Sequence, residues 1–598
     1  MSVPNLLVRL AAATFLAGPA FAQDIQLSAP GLDEDLTESL RAASLLLQPS
    51  EESRTAQDLV AAARADYGRL VAAFYDAGYF APIVRIDVDG REAARIPPFG
   101  GPRSIQRITI RVESGEPFRL GTAEIGPLSP GTELPTEYRP GGAASTPLLR
   151  DTAAAAIDAW RVAGHAFAEV SGQQSTARPQ QEILDVRIRI EPGQVVRFGA
   201  LNAEGFERMR PERIAAIAGL PQGETFSPET LQRVEARLQE TGVFSAISLQ
   251  EGDVGEDGVM NVNSVLVESP LRRFGFGAEL STDDGASLSA YWLHRNLFGG
   301  AERLRIEAEI GGIGTEELST EEIGGVDASL GLRFSRPATF TTDTTYYAEL
   351  GGEYLDETAF SITTFGGEIG VDHRFSTLLD GSVGLRIDYF DIDDDFGTRE
   401  VTLVTIPVSL TWDRREDPLD ARELFFIEAE ATPFISIDGN AGARACVDGR
   451  YYLWFGEYRA TRFAARGQAG SVFGGEIEEI PPSFLFFSGG AGTVRGQNFQ
   501  SLGAVQNGVD TGGRSFLGLS GEYRQDIGDT NFGVVAFADA GYVGADALGE
   551  GGDWQAGAGV GVRYDTPFGP IRVDVATPVR GDGVGEDIFL YIGIGQSF

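Results

Sequence analysis

The sequence contains no lysine, one cysteine and only three histidines among its 598 residues. Because Cys446 has no partner cysteine, an intramolecular disulfide and a thiolate zinc site are both excluded. His165, His294 and His373 are far apart in the sequence, and no zinc-protease, serine-hydrolase or phosphate-loop motif is present. We therefore expect a protein without enzymatic activity, cofactor or metal site. A calcium site at one of two predicted acidic turns stays an alternative. These turns carry Asp391, Asp393, Asp394 and Asp395, and Glu316, Glu317, Glu321 and Glu322.

Basic residues are few relative to acidic ones. The chain has 48 arginines against 87 aspartates and glutamates, which gives a net charge of -39. A surface this acidic repels phosphate groups, so nucleic acid is not expected among the partners of the protein. We attribute the absence of lysine to compositional bias rather than to function.

Long apolar runs are missing except near the N-terminus. There, Arg9 precedes an apolar run over residues 10–17, and Ala20-Phe21-Ala22 fits the small-residue pattern of a signal-peptidase site. We predict a cleaved signal peptide at residues 1–22. A retained anchor is the alternative, but the run is shorter than the ~20 residues that a spanning helix needs. If the rest of the chain spans a membrane, it must do so as a closed β-barrel.

From about Leu271 onward, apolar residues alternate with small or polar ones between turns rich in glycine and aspartate. This period of two is typical of a membrane-spanning β-barrel, and residues 270–598 provide about sixteen strands at roughly ten residues per strand and a similar allowance for connections. We predict a final strand from Phe589 to Phe598. One face of it carries Leu590, Ile592, Ile594, Gln596 and Phe598, and the other carries Gly593, Gly595 and Ser597.

The N-terminal half contains one pattern three times. Strand-like segments end at Glu113, Glu191 and Glu268, which are 78 and 77 residues apart, and upstream of each a glycine follows an amphipathic run. Such a glycine is typical of a helix C-terminus, and a period near 80 residues is too long for a solenoid. We therefore predict three separate modules of β-α-α-β-β order. Their predicted boundaries are residues 23–115, 116–193 and 194–269.

A signal peptide, three α/β modules and a C-terminal barrel together resemble the superfamily of outer-membrane protein assembly factors that carry POTRA modules. Within it, three modules are similar to the TamA family, the outer-membrane subunit of the translocation and assembly module, whereas BamA proteins typically carry five and two-partner secretion transporters two. The resemblance implies α+β modules in the periplasm and an all-β barrel among the lipids of the outer membrane. It also implies two protein partners: unfolded outer-membrane proteins, autotransporters among them, and a TamB-like periplasmic protein bound through the first module, Asp24–Glu113.

The most specific local motif lies within the segment FLFFSGGAGTVRGQNF. Val494-Arg495-Gly496 matches the VRG motif of the long sixth extracellular loop of the superfamily. A loop folded into a polar lumen needs an anchor, and a guanidinium can bind an acidic wall residue through two parallel hydrogen bonds. The family pattern has an aromatic residue after the glycine, where this chain has Gln497, so that the packing of the loop tip is in question and Phe499 is a candidate substitute.

The acceptor for this arginine is implied by a second family motif. Phe537, Asp539 and Gly541 match the F-x-D-x-G strand pattern, and Glu522 lies on the preceding predicted strand. The resemblance implies that Arg495 binds Asp539, with Glu522 as the second acceptor, and holds the loop inside the barrel. The alternative is that Asp539 is one of many lumenal carboxylates in an acidic barrel.

We expect the barrel to act as an insertion factor for outer-membrane proteins. Its first strand, near Leu271–Ser281, and its last strand would meet at a weak seam where glycines at 275, 277, 593 and 595 reduce side-chain packing. A client strand could pair with either exposed edge. The alternative is a secretion pore for one dedicated exoprotein, as in two-partner secretion. Crosslinking across the seam would distinguish the two.

Overall fold

The computed structural model describes residues 24–48, 54–97, 101–281, 285–313, 325–357, 359–456, 460–528, 530–566, 569–596 and 598. The predicted signal peptide lies outside these residues. They form two compact units. The first comprises the described residues up to Ala200 together with Pro221–Leu231 and Glu251–Asn261, and the second comprises Leu201–Leu220, Gln232–Gln250 and Val262–Phe598. No helix within the described residues is long and apolar enough to cross a membrane.

The first module packs two helices against a four-stranded sheet with the order β1-β4-β2-β3. Asp33 caps the first helix, and Thr55 forms a capping box with Asp58 at the start of the second. Apolar residues of the longer helix pack onto the sheet and form a closed core. The elements are β1 (Asp24–Ser28), α1 (Glu34–Ala43), α2 (Ala56–Asp76), β2 (Ile83–Val88), β3 (Arg91–Glu92) and β4 (Arg107–Glu113).

The second module departs from the predicted order because it has one helix instead of two. Its elements are β5 (Arg119–Gly126), α3 (Thr146–Val162), β6 (Glu169–Arg178) and β7 (Ile183–Glu191), with sheet order β5-β7-β6. The segment between β5 and α3, which is fully described, contains no helix. Four prolines in this segment explain the difference, since proline interrupts helical hydrogen bonding. They are Pro127, Pro130, Pro135 and Pro140.

The third predicted order, β-α-α-β-β, is confirmed. Its elements are β8 (Arg197–Glu204), α4 (Pro211–Ala218), α5 (Pro228–Glu240), β9 (Phe244–Val254) and β10 (Val259–Glu268). Proline stands at the first helical position of α4, where its missing N–H costs nothing, and Gly219 ends α4 in the left-handed conformation. The module boundaries after residues 115, 193 and 269 remain predictions.

The C-terminal half forms one antiparallel sheet of seventeen strand segments that follow each other in sequence order. Two of the segments, β18 and β19, pair with the same two neighbours and are halves of one strand, so the sheet is equivalent to the predicted sixteen. The seventeen segments are β11 (Arg272–Ser281), β12 (Gly285–His294), β13 (Arg303–Ile313), β14 (Asp327–Arg336), β15 (Thr344–Glu357), β16 (Phe360–Ser376), β17 (Leu379–Asp394), β18 (Arg399–Thr405), β19 (Val408–Asp413), β20 (Leu424–Ser436), β21 (Ala441–Phe455), β22 (Thr461–Gly474), β25 (Ser515–Asp526), β26 (Phe532–Gly544), β27 (Asp553–Tyr564), β28 (Ile571–Arg580) and β29 (Phe589–Ile594). A small hairpin of β23 (Ala504–Gln506) and β24 (Val509–Thr511), between β22 and β25 in the chain, is a separate two-stranded sheet.

Side chains alternate between the two faces of this sheet as the sequence predicts. In β28, Val573 and Val575 are exposed on the outer face while Asp574 and Ala576 are buried on the inner face. An apolar exterior with a polar interior is the arrangement of a barrel in lipid. The predicted α+β modules followed by an all-β barrel are therefore confirmed.

The predicted end of the last strand is wrong. β29 stops at Ile594 because Gly595 adopts a positive φ of 91° and turns the chain, with its N–H donated to the carbonyl of Pro570 at 2.7 Å. Gln596 therefore leaves the strand and donates to Asp420, in the connection between β19 and β20, at 2.9 Å. Phe598 packs against the cluster that contains Tyr452 rather than toward lipid. An amide on a lipid-facing strand would have no such partner, which explains the turn.

β11 and β29, the first and last strands, lie next to each other. Every other neighbouring pair in the sheet is joined by a backbone ladder, but within the described residues no ladder joins these two. We call this boundary the seam.

Candidate functional site

The loop between β22 and β25, residues 475–514, folds back into the barrel, and we call it the long loop. Its apolar residues belong to a buried cluster with the lumenal side chains of several strands. The ring of Phe484 meets Phe390 edge-on at 6.3 Å and Phe434 at 5.7 Å, and Phe486 stacks on Phe516 at 6.0 Å. The loop therefore fills part of the lumen.

Arg495, at the tip of the long loop, binds the barrel wall through both sides of its guanidinium. Nε and Nη2 donate to the two carboxylate oxygens of Asp539 at 2.7 and 3.0 Å, and Nη1 donates to Glu522 at 2.6 Å. The guanidinium also lies 3.6 Å from the centre of the Phe537 ring. The structure thus brings Arg495 together with all three wall residues that the motifs single out, in a bidentate geometry of the kind that makes arginine pairs strong.

The charges around Arg495 balance. Asp574 is a third carboxylate, 3.5 Å from Nη1 of Arg495, and it pairs with Arg563, while Glu522 also accepts from Arg524 at 2.7 Å. All six side chains are buried, with Arg495 2% and Glu522 0% exposed. Three guanidiniums and three carboxylates form a neutral cluster, and pairing of this kind is what buried charges need. We call the lumenal face of β25–β29 that carries this cluster the loop-side wall.

Gly496 places the loop tip against the last two strands. Its φ is 90°, and a Cβ at this position would lie 2.8 Å from the carbonyl oxygen of Thr577, so that only glycine fits. Its N–H donates to the hydroxyl of Tyr591 on β29 at 2.9 Å. Val494 is fully buried beside Gly541, where a Cβ would come within 2.9 Å of it. The loop tip therefore contacts a strand that forms the seam.

Gln497, which replaces the family aromatic residue, is buried and binds backbone carbonyls. Its amide donates to Ala556 at 3.2 Å and to Arg580 at 2.9 Å. These two residues face each other on β27 and β28, next to a register shift at Pro578. Because proline has no N–H and the shift disrupts the ladder, carbonyls at this point need another donor, and Gln497 supplies it. Phe499, the candidate substitute for the missing aromatic residue, lines a cavity beside the loop.

Sequence reasoning missed the other polar members of this site and the space for the loop tip. The unpredicted members are Arg524, Arg563, Asp574 and Tyr591, and the last two lie on strand faces opposite to exposed valine, leucine or isoleucine. Glycines at 557, 559 and 561 alternate on the lumenal face of β27, where a Cβ at each would collide with Arg495, Phe537 or Asp574. A run of glycines at a period of two on one strand face is the signal that could have located the space for the loop tip.

The predicted seam residues have mixed positions. Ile592 is exposed on the outer face of β29, as predicted, and Gly593 pairs with Arg572 of β28. The side chain of Ile594 lies outside the described residues. Gly595 and Phe598 are not part of the strand, so the structure does not bring Phe598 to the seam.

A different set of ion pairs lines the lumenal face of β13–β17, which we call the open wall. Arg305 pairs with Glu307 at 2.6 Å, and Arg333 pairs with Asp372 at 2.9 Å. A cavity of about 390 Å³ lies against this wall. It is lined in part by Arg305, Glu307, Arg333, Glu349, Glu368 and Arg386. The long loop therefore does not fill the lumen here.

The acidic segment Asp391–Asp395, which covers the end of β17 and the first residue of the following turn, is engaged by an arginine. Arg399 donates to both carboxylate oxygens of Asp394, through Nη2 at 2.8 Å and through Nη1. In the part of the chain that the structure describes, no group of three or more His, Cys, Asp or Glu side chains is arranged to hold a metal ion. The other predicted acidic turn, with Glu316, Glu317, Glu321 and Glu322, lies outside the described residues.

Comparisons with known proteins agree with this architecture. The family model described as the Omp85 superfamily domain matches residues 296–598. The outer membrane protein assembly factor BamA of Nitratidesulfovibrio vulgaris is 22% identical over 447 residues, which cover 71% of this chain and 54% of that protein. The chloroplastic outer envelope protein 80 of Arabidopsis thaliana is 23% identical over 545 residues, which cover 84% of this chain and 69% of that protein. The chain thus spans about half the length of the first relative.

A solved structure shows the same fold. BamA from Haemophilus ducreyi, lacking POTRA domains 1–3, matches with a TM-score of 0.61 at 14% sequence identity. The match covers 80% of this chain and 99% of that one.

Proposed function

Since the chain belongs to the Omp85 superfamily, we propose that it is an insertion factor that passes the β-strands of client proteins into the outer membrane at the seam. The barrel lies in the outer membrane and the modules lie in the periplasm. The observation that supports insertion most directly is the seam itself, where the described residues of β11 and β29 are adjacent without a ladder between them. Opening a wall at this boundary requires no backbone ladder to be broken.

An unpaired strand edge can bind a client strand. Within the described residues the facing edges of β11 and β29 carry N–H and C=O groups that no ladder uses. A client strand that pairs with either edge satisfies these groups and its own, which is the driving force of β-augmentation in a medium without water. The clients that fit this chemistry are unfolded outer-membrane β-barrel proteins and autotransporters.

The long loop opposes the alternative of a secretion pore. An exoprotein that crosses the lumen would have to displace the loop, and displacement would expose or unpair the buried cluster around Arg495. Breaking a buried ion pair costs about 3 to 5 kcal/mol. Insertion at the seam leaves these contacts in place.

Locking the seam tests the proposal. In a Cys446→Ser background, Phe276→Cys on β11 and Leu590→Cys on β29, both exposed on the outer face, are joined by a cleavable thiol cross-linker. We expect client insertion to stop and to recover on cleavage, with each single-cysteine variant as the control. Insertion that continues through the lock, with a soluble exoprotein crossing the lumen, would replace the proposal with the secretion pore.

The finer assignment, a TamA-like protein with a TamB-like partner, rests on the three α/β modules that precede the barrel. We place the partner on the first module and client strands on β6, an edge strand whose outer side is unpaired and whose residues are almost all exposed. A photo-cross-linker at Ile83 in the first module should then capture a large periplasmic protein, and one at Gln174 in β6 should capture clients. Capture of the same proteins at both positions would contradict this division.

A further inference from the structure

Two prolines interrupt the middle of the barrel wall. Pro407 separates β18 from β19, and Pro433 lies within β20, the next strand. With β18 and β19 counted as one strand, these are the eighth and ninth of the sixteen strands that begin at β11. The prolines therefore lie at the position in the strand order that is farthest from the seam.

Both prolines remove a hydrogen bond from a ladder that is otherwise regular. Gly384 donates to the carbonyl of Pro407 at 3.0 Å, and Ile406 donates to that of Pro433 at 3.0 Å, but the reciprocal bonds cannot form because proline has no N–H. The pairing of β17 with β18 and β19 keeps one register across the gap. Proline inside a sheet is normally confined to edges and bulges, as Pro578 is, so these two positions are unusual.

The strands that precede Pro407 and Pro433 in the sheet are bound by helices α4 and α5. Arg213 donates to the carbonyl of Ala338 at 3.2 Å, and Arg237 binds Asp343 through two bonds of 2.8 and 2.9 Å. Burial favours the neutral form of Asp343, yet the ion pair with Arg237 holds the pKa of this carboxyl below its ordinary value. Arg374, at the end of β16, binds Glu240. The helices thus fix the hairpins of β14–β16 as one body.

The strands that follow the two prolines in the sheet are bound by the tip of the long loop. Arg495 binds β25 and β26, Gln497 binds β27 and β28, and Gly496 binds β29. Between the two bodies, the ring of Phe484 bridges Phe390 on β17 and Phe434 on β20. Apolar contacts have no required direction, so they tolerate a change of angle that a complete ladder would resist.

We propose that Pro407 and Pro433 form a hinge in the barrel wall, and that bending at this hinge moves β11 away from β29. This inference rests on the proposed insertion at the seam. Each missing bond lowers the resistance of the wall to bending at the point where a change of curvature opens the far side most. The hinge explains why two unpaired positions persist in a lipid-embedded sheet, where every lost backbone bond is costly.

The test restores the missing donors. In the Cys446→Ser protein, spin labels at Phe276→Cys and Leu590→Cys report the seam distance in lipid, with and without Pro407→Val and Pro433→Val. We expect the wild-type distribution to contain a separated population and the double variant to reduce it by about tenfold, which corresponds to about 1.4 kcal/mol. Each single proline variant should reduce the separated population by an intermediate amount. The single variants therefore still test the hinge if the double variant does not fold. Pro418→Val in an exposed turn is the matched control.

Two results would overturn the hinge. One is an unchanged distance distribution in correctly folded double and single variants, and the other is a single narrow distance in the wild-type protein. Neither depends on client insertion. The seam lock can fail to stop insertion while the proline variants still narrow the distribution of seam distances. That result would support the hinge and contradict the proposed function.

Discussion

Arginine–carboxylate pairs line both the loop-side wall and the open wall, but the two walls differ in their access to water. On the loop-side wall the side chains of Arg495 and Glu522 are 2% and 0% exposed. On the open wall the side chains of Arg333 and Asp372 are 45% and 42% exposed, although their contact of 2.9 Å is nearly as short. The same chemistry is therefore dry around Arg495 and solvated around Arg333.

This difference separates a fixed part of the lumen from an adaptable part. Removing one member of a buried pair leaves a desolvated charge, whereas an exposed pair contributes about 0 to 1 kcal/mol because water replaces either partner. The loop-side wall therefore fixes the long loop and, through it, the last strand. On the open wall, the solvated ion pairs of Arg333 should contribute little to the stability of the fold.

The largest effect is expected from Arg495→Ala. Three buried carboxylates would lose their shared partner, so the contact between loop and wall should weaken by about 3 to 5 kcal/mol. Limited proteolysis of the folded barrel should then cleave the long loop in the variant and leave it intact in the wild-type protein. Arg495→Lys should restore only part of the protection, because an ammonium cannot bind Asp539 and Glu522 with the geometry of a guanidinium. Full protection in the alanine variant would mean that the apolar contacts alone hold the loop.

Gly557→Val should displace the loop tip without removing a charge. A Cβ at this position would lie 1.9 Å from the carbonyl oxygen of Arg495. Overpacking of this kind costs about 1 to 3 kcal/mol, and the loop should become sensitive to protease while the barrel stays folded. Gly449→Val on β21 is the matched control, since its nearest heavy atom would be 3.9 Å away. Equal protease sensitivity in the two variants would argue against a tight fit at the loop tip.

Tyr591→Phe should separate the loop from the seam more selectively. It removes the acceptor of the Gly496 N–H and leaves Arg495 in place, at a cost of about 1 kcal/mol. The loop should remain protected from protease. The rate of cross-linking across the seam, measured between Phe276→Cys and Leu590→Cys, should change because β29 loses its hydrogen bond to the loop. Tyr523→Phe on β25 is the control, since Tyr523 is exposed and its hydroxyl donates to Gln525 on the same strand rather than accepting from the loop. An unchanged rate would show that Tyr591 does not couple the loop to the seam.

Sequence reasoning located Arg495, Asp539 and Glu522 but not the full site, for a physical reason. A period of two shows which face of a strand is lumenal, but not which lumenal residues of different strands lie at the same height. That depends on strand register, which brought Asp574 beside Arg563 and Tyr591 beside Gly496. The turn at Gly595 was likewise unpredictable, because the partner of Gln596 is Asp420, distant in sequence.

The absent helix in the second module shows a similar limit of prediction from sequence. The pattern that occurs three times predicted the helix by analogy, whereas four prolines between β5 and α3 exclude it locally. By contrast, the amphipathic run followed by a glycine in the third module does form a helix, α5, which ends at Glu240 just before Gly242, because these two signals act within the segment itself.

The smallest effect is expected from Arg333→Ala on the open wall. Arg333 pairs with Glu349 and with Asp372, but water reaches all three side chains, so the stability of the barrel should fall by no more than about 1 kcal/mol. Heat-modifiability on gels, measured at low and high salt, checks this prediction, and the small loss should shrink further as salt screens the wild-type pairs. A loss as large as that of Arg495→Ala would mean that the open wall is as dry as the loop-side wall, and the distinction between a fixed and an adaptable side of the lumen would fail.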